Sequence, residues 1–250
     1  MAQELEFSVI SPITSVLQAL LGQFEARYGT RVRLRELSWD SAWNDLFKSA
    51  LHNDTADLSE VGSSWLGDLV AMRALQSFSA SELAALQADT TFVPAAWRGT
   101  RLLGQTETWA IPWMMGARLL FYRRSLLTTA GVDEATAFTN AEALDRTLGR
   151  LQAAGVAIPW TVPLGSTHTT LLNVASWVWG AGGDFLSADG KRVQFSLGAA
   201  RTGLRRYFAL GRYLAPAVRR LTGSQPDDMF LHNPQAGATI SGSWLFLAAR

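Results

Sequence analysis

The sequence predicts an α/β protein of two lobes, each a mainly parallel sheet flanked by helices. Three observations support this fold class. Strand and helix patterns alternate over residues 5–75, as they do where a parallel sheet is covered by helices. Over residues 101–122 the pattern changes to short apolar runs around glycine and proline, which indicates a crossing into a second lobe. A second α/β series then follows.

The first predicted elements are two strands with a helix between them. Residues 5–9 alternate in polarity as a strand does, and residues 31–35 do so again. Between them a helix is predicted from about Thr14 to a stop at Gly29. We expect Asp40 to cap the next helix. The apolar face of the first helix is predicted to comprise Val16, Leu17, Leu20, Leu21, Phe24 and Tyr28.

The remaining elements are predicted from the same local signals. Asp189-Gly190 indicates a hairpin, because these residue types favour the tight turn that joins two antiparallel strands. We also predict strands at 57–61, 158–162 and 238–241, a strand pair around 104–105, and helices through 66–75, 140–154, 169–179 and 204–210.

Three loops follow the predicted strands of the first lobe. They cover residues 11–14, 39–40 and 62–65. Ligands of open α/β sheets gather beyond the carboxyl ends of the strands. We therefore expect a binding site there, built from small polar side chains, backbone N–H groups at helix starts and aromatic rings.

Composition excludes several classes of protein. The chain is 48% hydrophobic and 17% charged, which is globular, and its net charge of +1 argues against nucleic acid as a partner. Having no cysteine, it has neither disulfides nor thiolate metal sites. No apolar run approaches the roughly 18 residues of a membrane span. The N-terminus carries no export signal, so we expect a cytoplasmic protein or a mature form whose signal was removed.

Enzyme motifs find little support. The three histidines, His52, His168 and His232, have no partner at metal-ligand spacing, so no metal or cofactor site is predicted. The glycine-rich run at 180–184 follows a helix rather than a strand, which argues against a phosphate loop. Paired carboxylates leave glycoside hydrolysis open as an alternative. The carboxylates that could face a cleft are Asp40, Glu60, Glu107 and Asp184.

The sequence contains ten tryptophans, and these are the main support for the hypothesis that the protein binds a small solute. Trp65, Trp113 and Trp244 stand beside glycine, serine or proline, where an element ends and a side chain is displayed. Flat aromatic rings suit the apolar C–H faces of a sugar, and fixed polar groups suit its hydroxyls. Trp177 and Trp179 are two apart on a predicted helix, so we expect at most one of them to contact ligand.

Four runs of residues, taken in order, resemble family 1 of the extracellular solute-binding proteins, the maltose/trehalose-type sugar receptors of bacterial ABC importers. The runs are residues 57–69 with Ala74-Leu75, residues 111–123, residues 179–184 and residues 237–244. The resemblance implies the two-lobed periplasmic-binding-protein type II fold, joined by crossing strands near 113–116 and 239–242. It implies lobes at 1–113 and 114–240, with 241–250 beginning a return into the first lobe.

The same resemblance implies a function. A sugar would bind in the cleft between the lobes, hinge bending would close the cleft, and a membrane permease would receive the closed form. It implies a monomer in the periplasm or on the cell surface, without cofactor or catalysis. Family members continue well past the second crossing, so we expect this chain to be truncated at its C-terminus.

One position departs from the family. Many members carry a sugar-binding acidic residue where this sequence has Gly116, and Arg118 follows two positions later. A polyol or another polar solute therefore stays open as the ligand, as does a role as a solute-sensing module. The predicted ligand-binding residues are Trp39, Asp40, Ser63, Ser64, Trp65, Glu107, Trp113, Arg118, Trp179, Asp184 and Trp244.

Overall fold

The computed structural model describes residues 3–165 and 167–248. The chain divides between Met115 and Gly116 into two compact units. Each unit contains a three-stranded sheet with helices packed against it, which confirms the predicted α/β class.

The sheet of the first unit is wholly parallel. Its strand order is β2-β1-β3, with Phe7 of β1 paired to Leu34 on one side and to Leu58 on the other. The strands are β1 (Gln3–Val9), β2 (Thr30–Glu36) and β3 (Leu58–Ser59). The helices are α1 (Ser15–Tyr28), α2 (Ala42–His52), α3 (Leu66–Ala71), α4 (Ala80–Ala85), α5 (Ala88–Thr91) and α6 (Pro94–Arg98), with a short 3₁₀ helix at Ser63–Trp65.

Helix α1 begins and ends as predicted, but its apolar face was predicted too wide. The Thr14 hydroxyl accepts a hydrogen bond from the Leu17 amide at 3.2 Å, and Gly29 ends the helix in the left-handed region at φ 66°. Leu17 and Leu21 pack on the sheet. The other four apolar residues lie on the exposed side, because three strands cover only a narrow stripe of a helix. Those four are Val16, Leu20, Phe24 and Tyr28.

Two further expectations for the first unit were wrong. Asp40 does not cap α2: Ser41 is the N-cap residue, and the Asp40 amide donates to the Ser38 hydroxyl within the preceding turn. The expected strand pair near residues 104–105 is a turn, closed by a hydrogen bond from the Gln105 amide to the Leu102 carbonyl, with Gly104 at φ 75°. The turn residues determine the backbone there, and no ladder forms beside them among the described residues.

The sheet of the second unit is mixed, with order β4-β6-β5. Its strands are β4 (Arg118–Tyr122), β5 (Ile158–Thr161) and β6 (Ala236–Gly242). Strand β6 runs antiparallel to β4 and parallel to β5, so one of the two pairings departs from the mainly parallel expectation. The helices are α7 (Arg124–Thr129), α8 (Glu134–Ala137), α9 (Ala141–Ala153), α10 (Thr167–Gly180), α11 (Gly198–Ala209), α12 (Gln225–His232) and α13 (Trp244–Ala248).

Local signals placed most of these elements correctly. Asn140 caps α9 by accepting a hydrogen bond from the Ala143 amide at 2.8 Å. The predicted hairpin is a single antiparallel bridge between Leu186 and Val193, turning through Gly190 at φ 70°. The largest core cluster centres on β5 and β6, where Trp160 is only 1% exposed. No helix formed by the described residues has the length and hydropathy needed to cross a membrane.

Candidate ligand-binding site

A buried carboxylate ties together the strand ends of the first unit. Glu60 follows β3, and its Oε2 accepts hydrogen bonds from the backbone amides of Ile10 and Ser11, each at 2.8 Å. The Ser11 hydroxyl donates to the other oxygen, Oε1. Both side chains are buried. Glu60, one of the predicted cleft carboxylates, is therefore engaged in holding the loop after β1 against the loop after β3.

Replacing this carboxylate is expected to destabilise the first unit. In Glu60→Gln the amide keeps one acceptor oxygen, and its NH₂ group cannot accept from the buried donors. We expect a loss of about 2 kcal/mol in the free energy of unfolding, measured by urea denaturation. The control is Glu142→Gln, which removes only the exposed ion pair with Arg206 and should cost a few tenths of a kcal/mol. Equal losses in the two variants would contradict a special role for Glu60.

Beyond these strand ends lies a cluster of three tryptophans. The ring of Trp65 lies 5.7 Å from that of Trp39 and 6.0 Å from that of Trp43, centroid to centroid, with tilted planes. Trp39 is 55% exposed, and the other two are half-buried. These tilted, partly exposed rings form an apolar aromatic surface. Two of its members, Trp39 and Trp65, are predicted site residues.

A glycine determines where Trp65 lies. Gly62 precedes the 3₁₀ helix, and a Cβ atom there would be 3.0 Å from Cδ2 of the Trp65 ring. The missing side chain lets the indole fold back against the backbone. Ser63 and Ser64 are exposed beside it, and within residues 3–165 and 167–248 their hydroxyls make no hydrogen bond. They are free to bind a polar ligand.

Three other predicted residues of the first unit are not part of this group of rings. Trp113 packs edge-on against Phe7 of β1 at 6.0 Å, and its ring is 49% exposed. Glu107 is exposed and accepts a hydrogen bond only from the adjacent Thr106 amide. Asp40 is exposed in the turn before α2. Their roles as ligand contacts stay predictions.

In the second unit, the strand register brings Arg118 and Trp244 together. Arg118 of β4 pairs with Gly242 of β6, so both point to the same face of the sheet. A Cβ atom on Gly242 would lie 1.8 Å from Cζ3 of Trp244, which means that the indole occupies the space of the absent side chain. The Arg118 guanidinium consequently lies over this ring, 5.1 Å from its centroid.

Asp227 completes this second aromatic surface. Its Oδ2 accepts a hydrogen bond from the Trp244 indole N–H at 2.8 Å, which orients the ring from its edge. The ring is 50% exposed. Trp244 is therefore held in one orientation by Gly242 beneath it, Arg118 above it and Asp227 at its edge. Half of its surface stays accessible.

Trp179 and Asp184 bind each other. The Trp179 indole N–H donates to Asp184 Oδ1 at 3.1 Å, and Phe185 packs edge-on against the ring at 6.2 Å. Trp179 is exposed, whereas Trp177 packs on Tyr207 in the interior. Trp179 is therefore the more exposed of the two neighbouring tryptophans, and its contact with a ligand stays a prediction.

Sequence reasoning missed two residues of these surfaces. Trp43 lies in the first turn of α2 and was not predicted as a site residue, because its ring meets that of Trp65 only in the fold. Asp227 carries no local signal, because its partner Trp244 lies 17 residues away and the two meet only in the fold.

A cavity of about 310 Å³ in the second unit involves none of the predicted site residues. Its lining comprises Arg123, Phe230, Leu231, His232 and Ala248. Arg123 lies over the Phe230 ring and donates to the carbonyls near the end of α12, which is a helix-capping role. Among the described residues no group of three or more acidic or histidine side chains could hold a metal ion; the side chain of His168 lies outside the described set.

This arrangement of elements is the fold of the solute-binding proteins of ABC transporters. Over 99% of the chain it matches such a protein from Thermotoga lettingae bound with α-D-tagatose, at a TM-score of 0.79 and 18% identity. It matches the sugar-binding protein MalE of Xanthomonas citri over 99%, at 0.77 and 19%. A solute-binding protein of Agrobacterium radiobacter in complex with ribitol matches over 97%, at 0.70 and 17%.

The sequence profile of the bacterial extracellular solute-binding protein family matches residues 10–249. The chain belongs to this family. It spans 64%, 62% and 61% of the three solved proteins, in the order given. A comparison with curated protein sequences gives no significant match.

Proposed function

We propose that this protein is the extracytoplasmic receptor of an ABC importer and that it binds a sugar. One observation carries the proposal. In both units a glycine lies at or just past the carboxyl end of a strand, a serine follows the glycine, and a tryptophan then folds back onto that glycine with its ring partly exposed. The two tryptophans are Trp65 and Trp244. Rings so held bind the apolar face of a sugar without first losing side-chain entropy.

The solved relatives support this ligand class. Their ligands include a ketose and a sugar alcohol, tagatose and ribitol, which share several adjacent hydroxyls. In this chain the exposed Ser63 and Ser64 hydroxyls beside Trp65 and the Arg118 guanidinium over Trp244 are available to such ligand hydroxyls. Delivery to a membrane permease, closure on the ligand and location in the periplasm or on the cell surface belong to the same proposal.

Hydrolysis of the bound sugar is not supported. A glycosidase needs two carboxylates free to act on the scissile bond. Two of the four predicted cleft carboxylates are already engaged: Glu60 is buried and accepts three hydrogen bonds, and Asp184 accepts from Trp179. The other two, Asp40 and Glu107, are exposed, and the family to which the chain belongs consists of solute-binding proteins.

Removal of Trp65 tests the proposal. We expect Trp65→Ala to weaken sugar binding about 10- to 100-fold, since the central ring of an aromatic surface is the kind of residue that dominates binding energy. Isothermal calorimetry against monosaccharides, disaccharides and polyols measures the change independently of the lost fluorophore.

The matched control is Trp97→Ala. Trp97 lies in α6 and its ring stacks on that of Phe92, so its removal should leave sugar affinity unchanged. Circular dichroism establishes that both variants are folded. Absence of binding by the folded parent protein to every sugar and polyol would refute the sugar receptor.

A further inference from the structure

In the part of the chain that the structure describes, no acidic side chain lies within ion-pair distance of Arg118. Among the described residues, acidic side chains form ion pairs with Arg33, Arg35, Arg124, Arg206 and Arg212. Within residues 3–165 and 167–248 the Arg118 side chain makes neither an ion pair nor a hydrogen bond, although it is half-buried. Burial lowers the pKa of the Arg118 guanidinium, and Asp227 opposes this only from a distance. A desolvated charge of this kind is costly unless something pairs with it.

Buried polar side chains lie near Arg118. Asn173 of α10 is 1% exposed, and Tyr207 of α11 lies against it. Burial raises the pKa of the Tyr207 hydroxyl, whereas hydrogen bonding with Asn173 and the nearby charge of Arg118 lower it. Buried polar groups in native proteins are nearly always satisfied. The Tyr207 hydroxyl can satisfy only one of the two polar atoms of the Asn173 amide, and among the described residues the other has no partner, which indicates a place for a polar atom of a ligand.

We infer that Arg118 binds an oxyanion on the ligand, so that the solute is a sugar carrying a carboxylate or a phosphate. This inference rests on the proposed function and names its substrate class.

The geometry favours an anion over a neutral hydroxyl. The guanidinium presents its N–H donors as a planar fork, which matches a carboxylate or phosphate with two parallel hydrogen bonds. Trp244 lies beneath it, with 5.1 Å between the guanidinium carbon and the ring centroid. Asp227 does not occupy the fork, because its Oδ2 accepts from the Trp244 indole and lies outside ion-pair distance of Arg118. A hydroxyl would satisfy one donor and leave the charge unpaired.

The test compares acidic sugars with their neutral counterparts on the full chain. Calorimetry is run with glucuronate and glucose, galacturonate and galactose, α-1,4-digalacturonate and α-1,4-digalactose, and glucose 6-phosphate against glucose. We expect one acidic compound to bind about 10- to 100-fold more tightly than its neutral counterpart. The uronate and phosphate arms distinguish the two oxyanions.

Variants then assign the preference to Arg118. Arg118→Gln should abolish the preference for the acid, and Arg118→Lys should retain part of it because the charge is kept without the fork. Arg146→Gln, an exposed arginine on α9, is the control and should change nothing. Raising the salt concentration should weaken the acidic ligand selectively.

The outcomes separate this inference from the proposed function. If a neutral sugar or polyol binds at least as tightly as every acidic compound, the oxyanion inference is wrong and the receptor proposal stands. If a preference for the acid survives in Arg118→Gln, another residue binds the anion and the assignment is wrong. If the folded protein binds no compound of either kind, the sugar receptor itself fails.

Discussion

Gly242→Ala is expected to weaken solute binding about 10- to 100-fold, as much as removing the Trp244 ring itself. The added Cβ would lie 1.8 Å from Cζ3, 2.2 Å from Cε3 and 2.2 Å from Cη2 of that ring. No small adjustment relieves three such contacts, so the indole must leave its place. It then loses both the hydrogen bond to Asp227 and the Arg118 guanidinium above it. Calorimetry with the ligand identified for the parent protein measures the loss.

A second glycine provides the control for this experiment. A Cβ on Gly22 in α1 would meet no atom within 4 Å. Gly22→Ala should therefore keep full affinity and raise the free energy of unfolding by about 0.5–1 kcal/mol, because alanine favours the helix. Near-ultraviolet circular dichroism of Gly242→Ala should report the changed surroundings of the indole. Unchanged affinity in folded Gly242→Ala would show that Trp244 does not contact the solute.

Gly203→Ala is expected to destabilise the second unit by about 3 kcal/mol, at the upper end of the cost of overpacking. Gly203 lies where α11 packs on α10, and its added Cβ would lie 2.3 Å from the Trp177 carbonyl oxygen and 2.8 Å from the Val178 Cα. These atoms are backbone, so relief requires the two helices to move apart. The small core between them, which includes Val174, Val178, Ala200 and Tyr207, would open.

Urea denaturation followed by circular dichroism measures this loss. Gly198→Ala on the same helix is the matched control, since its added Cβ meets nothing within 4 Å and should leave the stability equal or slightly higher. Equal unfolding midpoints for the two variants would mean that α10 and α11 are not in close backbone contact at Gly203.

Elements with strong local signals were predicted almost to the residue. The Thr14 cap and the Gly29 stop of α1, and the Asn140 cap of α9, act through hydrogen bonds and dihedral angles within a few residues. Local sequence encodes such interactions directly. The expected strands at 104–105 failed because strand pairing needs a partner, and short apolar runs do not reveal whether one exists.

For the candidate site, the sequence alone identified residue types and strand-end positions: Gly62 to Trp65, and Gly242 to Trp244. These follow from chain order, because strand, turn residue and helix succeed one another locally. Only the tertiary structure decided which groups meet. The register of β4 with β6 sets Arg118 over Trp244, and the packing of α12 brings Asp227 to the indole. Register and packing depend on contacts distant in sequence, so no local pattern could have shown that Arg118 has no ion-pair partner among the described residues.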